Sequence, residues 1–386
     1  MQTIKKYQLL ASSTDHLSDR GRDLSLPLLG LFGEIGSLLS EAKKKQRDPV
    51  AYLGYERTVL EEFGDVLWYL AAVATRSEIS IADLALQTGS TSPRNTEAKS
   101  DTITFADLQE PDAQISWIPQ PTAEFERTLI RLSAEVGLLM VDYDAGRFVN
   151  NQPALVGRLL SVLRALLEAA GDAGITLEAA AKGNLIKIKD RWPDEKIYPA
   201  PFDDGFPEQE RFERRMVFEI KEVLEGDLLV SRLTKDGIAI GDVLTDNRQG
   251  DDDYRFHDVF HMAYAAVMGW SPTLRRLLKR KRKSDPMIDE TQDGARAVLI
   301  EEGIATWIFN HAQRLEYFEN LHALDYSMLK NVREFVQGYE SENCPLWCWE
   351  EAILQGYAAF RQVKKNRSGR LIVDLNNHTL QYEQVK

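Results

Sequence analysis

One stretch, Gly33–Leu70, limits what this chain can fold into, because carboxylates recur in it at helical spacing beside apolar stripes. It reads GEIGSLLSE, then a basic loop, then ERTVLEEFGDVLWYLAAVA. Glu34, Ser37 and Glu41 fall on one face of a first helix; Glu62 and Asp65 fall on one face of a second, with Glu61 beside them. Leu31, Ile35, Leu38 and Leu39, then Val59, Phe63, Val66, Leu67 and Leu70, fill the opposite faces. Helices packed through those stripes set acids against acids across a crevice, which is costly unless a cation lies between them. Amphipathic helices carry solvated acids routinely. Here, however, Glu34 lies between Gly33 and Gly36, and Asp65 is enclosed by Phe63, Val66, Leu67 and Trp68. Carboxylates so close to apolar neighbours need partners. An oxygen-only donor set without Cys or His suits magnesium, or manganese in its place.

These residues resemble the MazG-like all-α nucleoside triphosphate pyrophosphohydrolases, whose signature is E-x-x-E, a gap, then E-x-x-D. The resemblance implies that Glu34, Glu62 and Asp65 hold Mg2+, which binds a triphosphate and activates water. It covers directly about the first hundred residues. Ser37 stands where the family has its second Glu, and Glu41 and Glu61 are the nearest acids able to compensate.

A second helical block, 121–192, reads as a faded copy of the first. RLSAEVGLLMVDYDAGR pairs Glu135 with Glu34 and Gly137 with Gly36. LVGRLLSVLRALLEAAGDAGITLEAAA lies on VLEEFGDVLWYLAAVATRSEISIADLA, where Glu62 becomes Arg158 and Asp65 becomes Ser161. MazG-like proteins follow their carboxylates with N-x-x-K and a nearby Arg-Trp. The first copy reads ADLALQTGS there, whereas the second reads KGNLIKIKDRWP and supplies Asn184, Lys187 and Arg191 on one helical face. Lys and Arg offer the cations that a triphosphate needs beyond the metal. The expectation is a composite site: metal ligands from copy one, with substrate-binding Asn184, Lys187 and Arg191 from copy two. In that reading Glu61, Glu62, Lys187 and Arg191 are the catalytic set.

Composition sets outer bounds. A chain of 386 residues with 44% hydrophobic and 28% charged residues can hold two or three domains with real cores. A net charge of −13 disfavours general nucleic-acid affinity. Cys344 and Cys348 provide no disulfide framework and read as a buried thiol pair on one helical face. No apolar run of signal or membrane-spanning length occurs, so the expectation is a cytoplasmic protein without membrane contact.

The C-terminal region contains YRFHDVFHMAYAAVMGWSP, with His257, Asp258 and His261 within about one helical turn. His at i, i+4 can share one metal, and Glu302 on a later helix completes a speculative second, transition-metal site. Asp258 also aligns with Glu34, and Glu301–Glu302 with Glu61–Glu62, as in a divergent third copy. The run Arg275, Arg276, Lys279, Arg280, Lys281, Arg282 and Lys283 reads first as a solvated helix end and second as a phosphate contact. RLIVDL and HTLQYEQV alternate as a closing hairpin around Asn376–Asn377.

The reading is therefore mainly α: tandem degenerate four-helix MazG-like repeats forming a pseudo-dimer, plus a mostly helical C-terminal domain of MazG C-terminal type with a small hairpin. The expected divisions are 1–95 with the metal carboxylates, 96–120 as linker or lid, 121–195 with the basic face, 196–250 as a connector in which the alternating EIKEVL and LLVSRL form a small strand pair or a helix plus hairpin, and 251–386. The resemblance implies Mg-dependent hydrolysis of a nucleoside triphosphate to the monophosphate and pyrophosphate. The alternative is a catalytically weakened nucleotide sensor that regulates the His-bearing domain or a partner protein, and the Ser37 departure is what supports it. A homodimer or higher oligomer is expected, and a role in phage defence is conceivable from the two-domain layout.

Overall fold

The computed structural model describes residues 2–15, 23–89, 99–109, 119–248 and 250–385. It is mainly helical: thirteen α-helices among the described residues and one five-stranded antiparallel sheet. The chain divides into two units, Met1–Trp192 and Pro193–Lys386. No helix among the described residues is long and apolar enough to cross a membrane.

In the first unit, helices start where the sequence supplies a capping oxygen. Thr3 opens α1 (Ile4–Ser12), Ser80 opens α4 (Ile81–Leu86), Thr122 opens α5 (Ala123–Asp144), Asn151 opens α6 (Gln152–Asp172) and Thr176 opens α7 (Leu177–Arg191). Between α1 and α4 run α2 (Ser25–Arg47) and α3 (Tyr55–Arg76). The two halves repeat one burial pattern. Leu31, Ile35 and Leu38 on α2 answer to Leu132, Val136 and Leu139 on α5; Val59, Phe63, Val66 and Leu70 on α3 answer to Leu155, Leu159, Val162 and Leu166 on α6. Both second helices also end alike. Glu78 and Gly174 take positive φ, and Ile79 N–H and Ile175 N–H reach back to the Ala74 and Ala170 carbonyls. The copies share one continuous core, with α2 on α5 and α3 on α7. Among the described residues copy two has three helices rather than four, since no counterpart of α1 appears.

The 96–120 stretch differs from a linker where it is described. Ile103, Phe105 and Leu108 are buried in the first unit's core, Thr104 bridges Thr3, and Phe105–Leu108 forms a capped 3-10 turn. Residues 96–98 and 110–118, and most of the TGSTSPRN loop at 88–95, lie outside the described residues.

In the second unit the expected connector, 196–250, supplies three of the five strands. β1 (Arg215–Glu225) and β2 (Leu228–Lys235) turn over Gly226–Asp227, and β2 meets β3 (Ile238–Ala239) over Asp236–Gly237, both at positive φ. The closing hairpin, β4 (Ser368–Asp374) and β5 (Thr379–Glu383), joins through β4 to β1, giving the order β3-β2-β1-β4-β5. The helices are α8 (Asp258–Met268), α9 (Pro272–Leu277), α10 (Pro286–Thr291), α11 (Ala295–Ala312), α12 (Tyr326–Phe335) and α13 (Leu346–Asn366). Every residue of α8 is buried, so it is the central helix of this unit. It lies chiefly along α13 rather than forming a hairpin with the next helix, unlike α2 with α3, so a third copy is not what this unit contains.

Three local expectations change. Cys344 precedes α13 and only Cys348 lies on it, so the two buried thiols, neither in a disulfide, do not share a helical face. Arg275 and Arg282 are buried rather than solvated, paired with Asp203 at 2.9 Å and with Asp293 at 2.7 Å. Lys281 pairs with Asp289 at 2.6 Å and Arg280 with Glu213 at 3.4 Å, so much of the basic run is committed inside its own unit.

Two glycines set how closely the first unit's helices approach. The Tyr69 ring lies over Gly30, and α7 lies over Gly64. A Cβ at Gly64 would stand 2.8 Å from the Ala180 carbonyl oxygen and 2.9 Å from Asn184 Cβ. Alanine inside a helix normally stabilises by about 0.5–1 kcal/mol over glycine. At Gly64 overlap reverses that sign, and Gly64→Ala should cost about 1–3 kcal/mol. Gly157→Ala on α6, whose Cβ would meet nothing within 4 Å, should be neutral or stabilising. Urea unfolding of both variants checks the pair; equal stability would contradict the close approach.

Candidate functional site

The apolar stripes that pack α2 on α3 turn Glu34, Glu62 and Asp65 toward one another. One carboxylate oxygen from each lies within 4.8 Å of the other two. Across the gap, α7 brings Asn184 and Lys187 from the second copy. Asn184 Nδ2 donates to Asp65 Oδ1 at 2.9 Å, and the Lys187 ammonium pairs with Asp65 Oδ2 and, at 2.9 Å, with Glu61 Oε1. The two halves thus meet at one polar point, acids from one side and a cation from the other.

Asn184 is 4% exposed, and its amide oxygen accepts from the Tyr7 hydroxyl at 3.2 Å. Both ends of the amide have partners inside the protein, and Asn184 holds Asp65 in place. Tyr7, on α1, is the residue that sequence reading missed; nothing in the KKYQLL segment marks it as a site residue. Gly64 was quoted as part of FGDV, but its role in letting Asn184 approach appears only with α7 in place.

Arg191 lies one turn beyond Lys187 with its guanidinium over the Trp192 ring, 4.5 Å from the centroid. Of the two acids expected to compensate for Ser37, Glu61 stands beside the cluster on Lys187. Glu41 does not: it is buried, bonded to the Tyr52 hydroxyl and paired with Lys44.

The electrostatics follow from burial of like charges. Burial first, then the hydrogen bond and charge of Glu34, push the Glu62 carboxyl up to about 8. Burial likewise raises Glu34. Burial raises Asp65 too, with Lys187 pulling it back. The second Glu62 oxygen is buried without a hydrogen-bond partner among the described residues. Copy two resolves the same problem differently. Arg158, at the Glu62 position, donates to Asp142 at 2.6 Å, and Arg147 donates at 2.6 Å, which lowers that carboxyl. A guanidinium thus stands in copy two where copy one has the Glu62 carboxylate.

The second cluster lies in the other unit. His257, His261 and Glu302 each direct one ligand atom to within 4.8 Å of the others. Asp258, expected in that set, is buried at the start of α8, and its oxygens are not among the converging atoms.

The Glu62 shift sets a pH dependence. Folded protein keeps a proton that the unfolded chain releases near 4.5, so metal-free protein should lose stability as pH rises from about 4.5 to about 8. Glu62→Gln should flatten that decline. Thermal melts in chelator across the range check it, and an unchanged slope in the variant would contradict it.

Residues 197–386 match the model of the MazG C-terminal domain. Neither curated proteins nor solved structures gave a match. A MazG-related domain is consistent with a nucleotide pyrophosphatase-like family. Residues 197–386 are thus similar to the MazG C-terminal domain, which is consistent with a MazG-like family.

Proposed function

We propose that the first unit is a Mg2+-dependent nucleoside triphosphate pyrophosphohydrolase, with its site assembled from both repeats. The observation that carries this reading is the convergence of Glu34, Glu62 and Asp65 opposite Lys187, with a buried Glu62 oxygen left without a hydrogen bond. The fit to magnesium or manganese is good on donor chemistry, since all three groups are hard oxygen donors. Bound there, such an ion supplies charge neutralisation for the triphosphate and a more acidic water.

The chain's own residues do the rest. Glu34, Glu62 and Asp65 hold the cation, and Asn184 fixes the Asp65 carboxylate through its amide. Glu61 is placed to accept a proton from water, and Lys187 holds its ammonium between Glu61 and Asp65. When a triphosphate arrives, Lys187 and Arg191 offer charge-assisted bonds to its oxygens. Water adds to a phosphorus atom, the phosphoanhydride bond breaks, and the monophosphate and pyrophosphate leave. The resemblance at Glu34, Glu62 and Asp65 supports the reaction class; Ser37, which adds no carboxylate, favours a binding role as the second reading.

Pyrophosphate release from a panel of nucleoside triphosphates with Mg2+ or Mn2+ separates the two. Turnover should fall below detection in Glu62→Ala and Asp65→Ala. Lys187→Ala should lower kcat/KM about tenfold to hundredfold, the value of a charge-assisted contact. Tight nucleotide binding with no turnover in wild type would replace the hydrolase with a sensor. Unchanged turnover in Lys187→Ala would leave copy two structural only.

A further inference from the structure

The His257, His261 and Glu302 cluster has features that a solvated charge group lacks. The His261 ring is 0% exposed, and its Nδ1 is 2.8 Å from Glu301 Oε1. Glu301 is itself fully buried and committed: the Ser271 hydroxyl donates to Oε1 at 2.6 Å and the Thr273 amide to Oε2 at 2.7 Å. A carboxylate so satisfied accepts the imidazole proton at Nδ1 and orients the ring, so that Nε2 is the nitrogen available to a metal once its own proton is displaced. That buried Nε2 makes no hydrogen bond among the described residues; the nearer Glu302 oxygen stands 3.4 Å away.

His257 is arranged in the same sense. Its Nδ1 lies 2.9 Å from the Tyr254 carbonyl oxygen, so Nδ1–H donates there and Nε2 faces inward. Tyr254 stacks flat on the ring, with centroids 4.4 Å apart and planes within 4°, and anchors its own hydroxyl on Thr306 at 2.7 Å. His257 Nε2 is 3.5 Å from the other Glu302 oxygen. Ligands held about 2.1 Å from a tetrahedral ion stand about 3.4 Å apart, which is close to both separations. The imidazoles are locked by partners behind them, and both Nε2 atoms converge with a carboxylate.

We propose that His257 Nε2, His261 Nε2 and Glu302 bind one zinc ion in the C-terminal unit. Two imidazoles and one carboxylate select a borderline transition metal over magnesium. Three protein ligands leave a fourth position for water or substrate, the arrangement of a reactive site and not of a closed structural one. Glu302, with a side chain 33% exposed, marks the side open to solvent, whereas both histidines lie beneath. Glu301 and the Tyr254 carbonyl act as positioning groups for the two rings. Nothing in the proposal depends on the nucleotide site of the first unit.

The test uses the full chain stripped of metal and titrated with cobalt(II), which reports nitrogen-ligated tetrahedral sites by intense visible absorption. One equivalent should produce that band, and zinc should displace it. Glu302→Gln, at a partly exposed position tolerant of change, should weaken cobalt binding tenfold or more while leaving the circular dichroism melt in place. His257→Ala should abolish the band. In Glu62→Gln the band should persist, which separates this site from the carboxylates of the first unit. A missing band, or a band unaltered in both Glu302→Gln and His257→Ala, would overturn the proposal.

Discussion

Three carboxylates brought within a few ångström of one another are the condition around which the first unit is built. Like charges at such distances cannot all ionise in a half-buried site without a counter-charge. One cation, Lys187, is supplied from the other repeat, and it balances Asp65 and Glu61 while burial pushes the Glu34 and Glu62 carboxyls up. The comparison with copy two is informative because the helices and stripes are the same. There Arg158 occupies the Glu62 position and neutralises Asp142 directly, so nothing further is needed. The same scaffold thus holds one centre neutralised by arginine and one in which three carboxylates converge beside a single lysine.

Position depends on backbone approach as much as on charge. Gly64 admits α7 at a distance that any side chain would refuse, and this sets Asn184 against Asp65. Tyr7 then closes the amide from the far side. The carboxylate that meets the copy-two groups is therefore fixed by a chain of contacts through α1, α3 and α7, drawn from both repeats. This explains why a duplicated helical pair, and not a single one, frames the site: the acids and their cation belong to different copies.

Much of this was legible in the sequence, for a definable reason. Glu34, Glu62 and Asp65 lie on neighbouring helices whose apolar stripes dictate which faces meet, and Lys187 followed from the N-x-x-K pattern of the MazG-like resemblance, found in the second copy. What was missed depends on contacts between distant segments. Tyr7 reaches Asn184 across 177 positions. EIKEVL and LLVSRL alternate visibly and do pair as β1 and β2, but that β1 also pairs with β4 shows only when residues 368–374 are beside it. Arg275 and Arg282 scan as a solvated run because their acidic partners, Asp203 and Asp293, lie in other segments. Asp258 scanned as a ligand by adjacency to His257, but helix geometry turns it aside and leaves Glu302 to meet the two imidazoles.

The central claim is that one nucleotide site draws on both repeats. It is tested most directly by calorimetric titration of a non-hydrolysable nucleoside triphosphate with Mg2+ into wild type, Lys187→Met and Arg158→Met. Lys187 faces the acids of copy one, whereas Arg158 is paired with Asp142 of its own copy. Affinity should drop about tenfold or more in Lys187→Met and stay near wild type in Arg158→Met. Equal affinity for wild type and Lys187→Met would contradict a shared site.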